Sequence, residues 1–237
     1  MKTIVYVDGL NLYYAALRGT QFKWLDLYAL FQDQVLEAGT DVEQVRYYTA
    51  PVKGSSSDDP YSPQRQQRYL RALKAYRGER VEIIQGFIAR STPFLRLVGT
   101  KEHGAVPPKV RVYHFAEKQT DVNLAADLVS DSWRKQYGQA VICSNDSDLV
   151  GALAAVRRDH PEVALGLVPP VREASHISRE LKDLATWCKT LEAADLAEAQ
   201  LPERIPGTQL SRPHRWAQTM TAIESLREPA LLPPSAA

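Results

Sequence analysis

Thr3-Ile4-Val5-Tyr6-Val7-Asp8-Gly9-Leu10-Asn11 opens the chain with an apolar, β-branched run that stops on a carboxylate. Such a run, closed by Asp-Gly, reads as a buried strand with an acid where the chain leaves it. Similar short apolar runs occupy residues 45–50, 81–89, 140–143 and 163–168. Between most of them the period changes to that of a helix. Residues 25–36 carry Leu27, Leu30, Phe31 and Val35; residues 65–76 carry Tyr69, Leu70, Leu73 and Tyr76; residues 121–133 carry Leu124, Leu128 and Trp133. A short apolar helix is expected over 149–156. Strands alternating with helices of this length give βαβ units, a mostly parallel sheet and an α/β fold. Residues 110–115 add a strand expected to run antiparallel to the third, after a connection containing Gly99, Gly104, Pro107 and Pro108.

The acids sit at the strand ends. Asp8 follows the first strand, and Asp146 and Asp148 follow the fourth in Ser144-Asn145-Asp146-Ser147-Asp148. Asp121 opens a helix after Glu117-Lys118-Gln119-Thr120. In an open parallel sheet, ligands bind beyond the carboxyl ends of the strands, where strand order reverses. If the first and fourth strands are neighbours, Asp8 faces Asp146 and Asp121 shares their rim. Two unit charges 4 Å apart repel by about 4 kcal/mol at an effective dielectric of about 20. Such a set is therefore screened by water, shares protons or holds a divalent cation. Without His or Cys nearby, an all-oxygen donor set suits Mg²⁺ or Mn²⁺. His103, His114, His160, His176 and His214 are scattered, and Cys143 and Cys188 match no metal-ligand spacing. Each acid taken alone also fits as a helix N-cap, worth about 1 kcal/mol. Asn145-Asp146-Ser147-Asp148 holds more carboxylate than a cap requires.

The 237 residues are 44% hydrophobic and 24% charged, which excludes a disordered chain, a fibre and a coiled-coil rod. No apolar run is long enough for a membrane span. Asp8 interrupts the opening run too early for a secretory signal, and two cysteines make no disulfide framework, so a cytoplasmic setting is expected. The formal charge of +1 hides a strong asymmetry. Residues 61–111 hold eleven basic and three acidic residues, a net of +8, between flanks of net −3 and −4. A block of this kind marks either a polyanion-binding surface or a solvated helix face. The loop 54–60, rich in Gly and Ser, is expected to be mobile and able to close over a ligand. Six prolines fall between Pro202 and Pro234. Residues 193–237 are accordingly expected to form an extension on a domain of residues 1–192, anchored by Trp216 and fraying after about Arg227.

The segments VDGLN (7–11), EKQTDVNLAADL (117–128) and SNDSDL (144–149), in this order and spacing, resemble the NYN family, PIN-like nuclease domains of the LabA type. The resemblance covers about residues 1–190. It implies a PIN-like sheet of five or six strands in the order 3-2-1-4-5, flanked by helices. It further implies a Mg²⁺- or Mn²⁺-dependent ribonuclease cutting RNA, single-stranded by preference, to leave a 5′-phosphate and a 3′-hydroxyl. Carried over by motif position, Asp8, Asp121 and Asp146 would bind metal, with Asp148 beside them in the catalytic set. Asn11 would help hold metal or substrate, and Ser144 would lie close to the bound phosphate. Asp127 also matches a family acid, but six residues of helix turn it well away from Asp121. Many relatives carry Lys-Gly where this chain has Lys118-Gln119, so a side chain stands at the lip of the site. Lys118 could neutralise phosphate charge. Arg65, Arg68, Arg71, Lys74 and Arg77 spiral round their helix, so only some can touch RNA; Arg65 and Arg68, nearest the 54–60 loop, are expected to. A homodimer is left open.

Two other classes remain. A haloacid dehalogenase-like phosphatase also places an Asp after its first strand, but needs a second two residues on, where this chain has Leu10. A non-catalytic module binding RNA or protein is the third reading. Tyr13, Tyr14 and Tyr61 could stack bases or fill the core.

Overall fold

The computed structural model describes residues 1–52, 59–97, 109–171 and 173–217. Its strands in chain order are β1 (Lys2–Asp8), β2 (Asp41–Thr49), β3 (Val81–Gln85), β4 (Phe87–Ser91), β5 (Phe94–Arg96), β6 (Lys109–Arg111), β7 (His114–Lys118), β8 (Gln139–Cys143), β9 (Ala164–Leu167) and β10 (Trp187–Cys188). The α-helices are α1 (Gly9–Leu12), α2 (Leu27–Ala29), α3 (Ser62–Arg77), α4 (Thr120–Trp133), α5 (Val150–Asp159), α6 (Arg179–Leu184), α7 (Ala193–Glu198) and α8 (His214–Ala217), with π-helical turns continuing α1 over Tyr13–Leu17 and α2 over Leu30–Val35. Six strands form one parallel sheet in the order β10-β9-β8-β1-β2-β3. Counting parallel strands alone, this is the expected 3-2-1-4-5 with a sixth, two-residue strand at one edge. The chain winds outward from β1 in both directions, so the switch point lies between β1 and β8.

Val5, Tyr6 and Val7 are fully buried because helices cover both faces of the sheet. Val5, Val7, Val141 and Cys143 pack with Leu70 and Leu73 of α3 and with Trp24, Leu27 and Phe31. Ile4, Tyr6, Ala140 and Ile142 pack with Leu124 and Leu128 of α4 and with Leu153 and Val156 of α5. Period-two alternation then turns Asp8 and Ser144, which continue the second set, toward the layer that carries Asp121. Beyond α7 the chain returns across the first face. Trp24 Nε1 donates to the Pro202 carbonyl at 2.9 Å, and Trp216 packs edge-on against Trp24 and Tyr69, with centroids 6.4 and 6.1 Å away.

The expected third strand, 81–89, breaks at Gly86. A Cβ there would run into the Lys118 carbonyl oxygen and the Glu117 carboxylate, so only glycine lets β7 cross this close. Past the break, β4 pairs antiparallel with β7, and β5 pairs with β6, in two ribbons apart from the main sheet. The single extra strand expected over 110–115 is thus two strands, β6 and β7; β7 does run antiparallel to residues 87–89, the far end of the expected third strand, but that end lies outside the parallel sheet. Most of the 54–60 loop, the Gly99–Pro108 connection and the chain after residue 217 lie outside the described residues. Among the described residues, no helix is long and apolar enough to cross a membrane.

Three hydrogen bonds tie the far half of α4 to the sheet. Tyr6 Oη and Arg46 Nη1 both donate to Asp131 Oδ2, at 2.7 and 2.5 Å, and Tyr48 Oη donates to Asp127 Oδ2 at 2.9 Å. Asp127 faces the sheet here and not Asp121, as six residues of helix require. Asp131 is buried, so its removal leaves the buried Tyr6 phenol without its acceptor and takes from Arg46 its shortest ion pair, with Glu82 remaining at 3.3 Å. Asp131→Ala is expected to cost about 3 kcal/mol, measured as a lowered midpoint in urea denaturation.

Candidate metal centre

The site is built at the ends of β1 and β8. Val7 lies opposite Cys143 in the parallel register, so Asp8 and Ser144 leave the sheet side by side. Asp8 caps α1, its Oδ1 accepting from the Asn11 backbone N–H at 3.0 Å. Gly9 is required beside it: a Cβ there would come within 2.6 Å of the Tyr48 carbonyl oxygen and 2.7 Å of the Tyr47 ring. Asp8 Oδ2 accepts from Ser144 Oγ at 2.9 Å, and the same hydroxyl accepts from the Asp146 backbone N–H at 3.0 Å. Ser144 is fully buried and stands behind the acids as a link between them. Asn11 Oδ1 accepts from the Asn145 backbone N–H at 3.1 Å, joining the two loops a second time.

Asp121 arrives from the other side, in the first turn of α4. Asp8, Asp121 and Asp146 each offer one carboxylate oxygen, and the three lie within 4.8 Å of one another. Capping and clustering coexist, because Asp8 and Asp146 each cap with a single oxygen. Asp148 is exposed and stands outside this triad; its backbone N–H donates to Asp146 Oδ1 at 3.0 Å. The set can hold a metal ion. It is all oxygen, among the described residues no histidine joins it, and hard cations such as Mg²⁺ and Mn²⁺ fit that chemistry.

Electrostatics points the same way. Burial pushes the Asp8 carboxyl up to about 6 against the pull of its Asn11 and Ser144 hydrogen bonds, and the charges of Asp146 and Glu117 add to the rise. Asp121 is pushed up to about 7 by burial and then by Asp8, Glu117, Asp146 and Asp148. These carboxylates are held together at a cost that a bound dication would offset.

Glu117 is the residue that reading the sequence missed. Its Oε1 accepts from the Thr120 backbone N–H at 3.0 Å, capping α4 in place of Gln119, which makes no side-chain cap. Had the strand at 110–115 been read on to Lys118, alternation would have put Glu117 on the same side as Phe115. Gln119 itself has φ 80°, a left-handed conformation that a glycine adopts freely and a Cβ disfavours.

The basic helix is less free than its charge suggests. Arg65 pairs with Asp59, which also pairs with Arg215, and Arg77 clamps buried Asp26 through both carboxylate oxygens. Arg68 is exposed, as is Lys118 at the end of β7. Tyr13 packs against the core, whereas Tyr61 is exposed.

Two tests follow from this geometry. Carboxyls raised above their unfolded value near 3.8 favour the fold while protonated, and that contribution is lost as pH climbs through 6 and 7. In EDTA, Asp121→Asn should therefore raise the melting temperature over wild type by more at pH 8 than at pH 5, and Mn²⁺ should stabilise wild type most at pH 8. Gln119→Gly should relieve the left-handed strain by about 1 kcal/mol, raising the melting temperature by about 2–4 °C.

A family model described as the NYN domain matches residues 2–191. The 6-hydroxy-3-succinoylpyridine 3-monooxygenase HspA of Pseudomonas putida (strain DSM 28022 / S16) is 32% identical, across 91% of this chain and 75% of its own. No solved structure matches. With its parallel sheet order, its acids at the β1–β8 switch point and a family match over most of its length, the chain belongs to the NYN domain family.

Proposed function

We propose that this protein is a Mg²⁺- or Mn²⁺-dependent ribonuclease that hydrolyses phosphodiester bonds of single-stranded RNA. The observation that carries the reading is the convergence of Asp8, Asp121 and Asp146 on one rim, with an oxygen from each within 4.8 Å of the others. These three would hold the ion, which when bound supplies a Lewis acid for the phosphate and a lowered pKa for water. Ser144 and Asn11 are positioning residues that keep the β1 and β8 loops in register with each other. Asp148, exposed beside the triad, takes the proton of the attacking water on its carboxylate. The water oxygen forms the new bond to phosphorus, the bond to the 3′-oxygen breaks, and that oxygen is protonated from solvent. Lys118, exposed three positions before Asp121, offsets phosphate charge at the mouth, with Arg68 farther out. Arg65 reaches RNA only by giving up Asp59.

A second reading has one specific observation behind it: the relative at 32% identity is named for a monooxygenation of a pyridine ring. That chemistry needs dioxygen and two electrons from a reductant. Three carboxylates without histidine favour a hard cation such as Mg²⁺ or Mn²⁺ over iron, and hence the hydrolase.

End-labelled single-stranded RNA incubated with Mn²⁺ separates the two. Wild type is expected to cleave it, and Asp146→Asn to lower the rate by about 10³-fold without lowering the melting temperature. An intact RNA substrate, together with oxygen uptake on 6-hydroxy-3-succinoylpyridine and a reduced nicotinamide, would replace the first reading by the second.

A further inference from the structure

Between β3 and α4 the chain builds an arm that the acidic site does not use. Its described residues, 87–97 and 109–118, carry Arg90, Arg96, Lys109, Arg111 and Lys118 against one acid, Glu117, whose carboxylate turns back to cap α4. In the β5–β6 ladder Phe94 lies opposite Arg111 and Arg96 opposite Lys109. Period two therefore gathers one ring and three cations on a single side of this ribbon. All four are exposed, Phe94 by 66%. Tyr113 is 67% exposed, and the Arg90 guanidinium carbon sits 4.2 Å from its ring centroid. In the second ribbon Phe87 pairs with Lys118 on an open side, while Ile88, pointing the other way, is buried.

Among the described residues these cations lack acids of their own. Among the described residues Arg96, Lys109 and Lys118 make no ion pair, and Arg111 donates only to Thr92 Oγ1, at 3.0 Å. Arg77 of α3 is spent on an internal aspartate, and Arg65 on Asp59. The complement to the arm is thus a polyanion that also offers flat apolar faces. A duplex presents phosphates but keeps its bases stacked, whereas a single strand presents both. The arm is also rooted at the acidic site. β7 ends at Lys118, three residues before Asp121, and Gly86, just before β4, lies against Glu117, Lys118 and Thr120.

We infer that this arm is the platform that holds single-stranded RNA, with phosphates on Arg96, Lys109 and Arg111 and unstacked bases on Phe94 and Tyr113. The strand then passes Lys118 into the acidic triad. The inference rests on the ribonuclease reading above and adds to it where the substrate lies.

The test uses the full chain in EDTA, with a fluorescein-labelled oligouridine of about twenty nucleotides, longer than one binding site, followed by anisotropy. Phe94→Ala and Tyr113→Ala should each weaken binding about tenfold, and Phe94→Trp should restore it. Arg96→Gln with Arg111→Gln should flatten the slope of log K against log salt by about 1.4, for two lost phosphate contacts. Both rings are exposed, so the melting temperature should hold; if an alanine variant unfolds, the glutamine pair decides. Binding by all of these within about twofold of a wild type that cleaves RNA with Mn²⁺ overturns the arm and leaves the ribonuclease standing. A wild type that neither binds nor cleaves removes both. If Phe94→Ala turns a dimer into a monomer with RNA binding unchanged, the arm is an interface between copies and the inference falls.

Discussion

The parallel register between β1 and β8 is the constraint on which the site depends. It brings Val7 opposite Cys143, and with it two chain ends separated by well over a hundred residues leave the sheet next to each other. Period-two alternation then aims Asp8 and Ser144 toward the helix layer of α4 rather than toward α3. A slip of one residue would reverse that choice and bury the carboxylate against Trp24 and Phe31. The cost of gathering acids is therefore met by a sheet whose central strands are apolar on both faces and tolerate no such slip. Ser144 completes the link, since one buried hydroxyl serves the carboxylate of Asp8 and the backbone of Asp146 together.

Asp121 depends on a different element. Helix α4 is fixed at its far half by Tyr6 and Arg46 on Asp131 and by Tyr48 on Asp127, all reaching from β1 and β2. Those strands also define the Asp8 side of the site, so one rigid unit positions both acids. At its near end α4 has a left-handed Gln119 and takes its cap from Glu117, two residues before. Strain and an extra negative charge thus sit together at the lip of the acidic cluster. Strain of this kind persists only where the surroundings over-determine the conformation, and here the tethers to Asp127 and Asp131 supply that.

What could be read from the sequence follows from how local each signal is. Val7-Asp8 and the acids after Cys143 are local: an apolar run ending on a carboxylate states both the strand and the position of the acid. Order and spacing of the three acidic segments carried the family, and with it the sheet order. The break at Gly86 was hidden because residues 81–89 are apolar on either side of it, and only the crossing of Lys118 makes the glycine necessary. Glu117 was hidden by the same break, since its side depends on where β7 ends. The freedom of the α3 arginines could not be read either. Their partners Asp26 and Asp59 come from separate stretches of chain, and a helix wheel contains neither.

Net charge is the most misleading number this chain presents. Its value of +1 averages an acidic pocket and a cationic arm that meet at Glu117 and Lys118. For a polyanion the two regions act in opposite senses, and the difference is one of range. The arm is exposed, so its attraction acts over a Debye length of about 8 Å at physiological ionic strength and weakens with added salt. The triad is partly buried, so salt screens its repulsion less, and protonation or a bound cation would relieve it. A metal-free site would then hold back a phosphate that the arm attracts, and loading the site removes the barrier without altering the arm. The same reasoning accommodates a relative named for different chemistry: a shared fold does not fix chemistry, and what enters a site is decided by the surface leading to it. In this chain that surface is cationic, aromatic and rooted three residues from Asp121, which suits the proposed hydrolysis of a single-stranded polyanion better than the oxidation of a small ring.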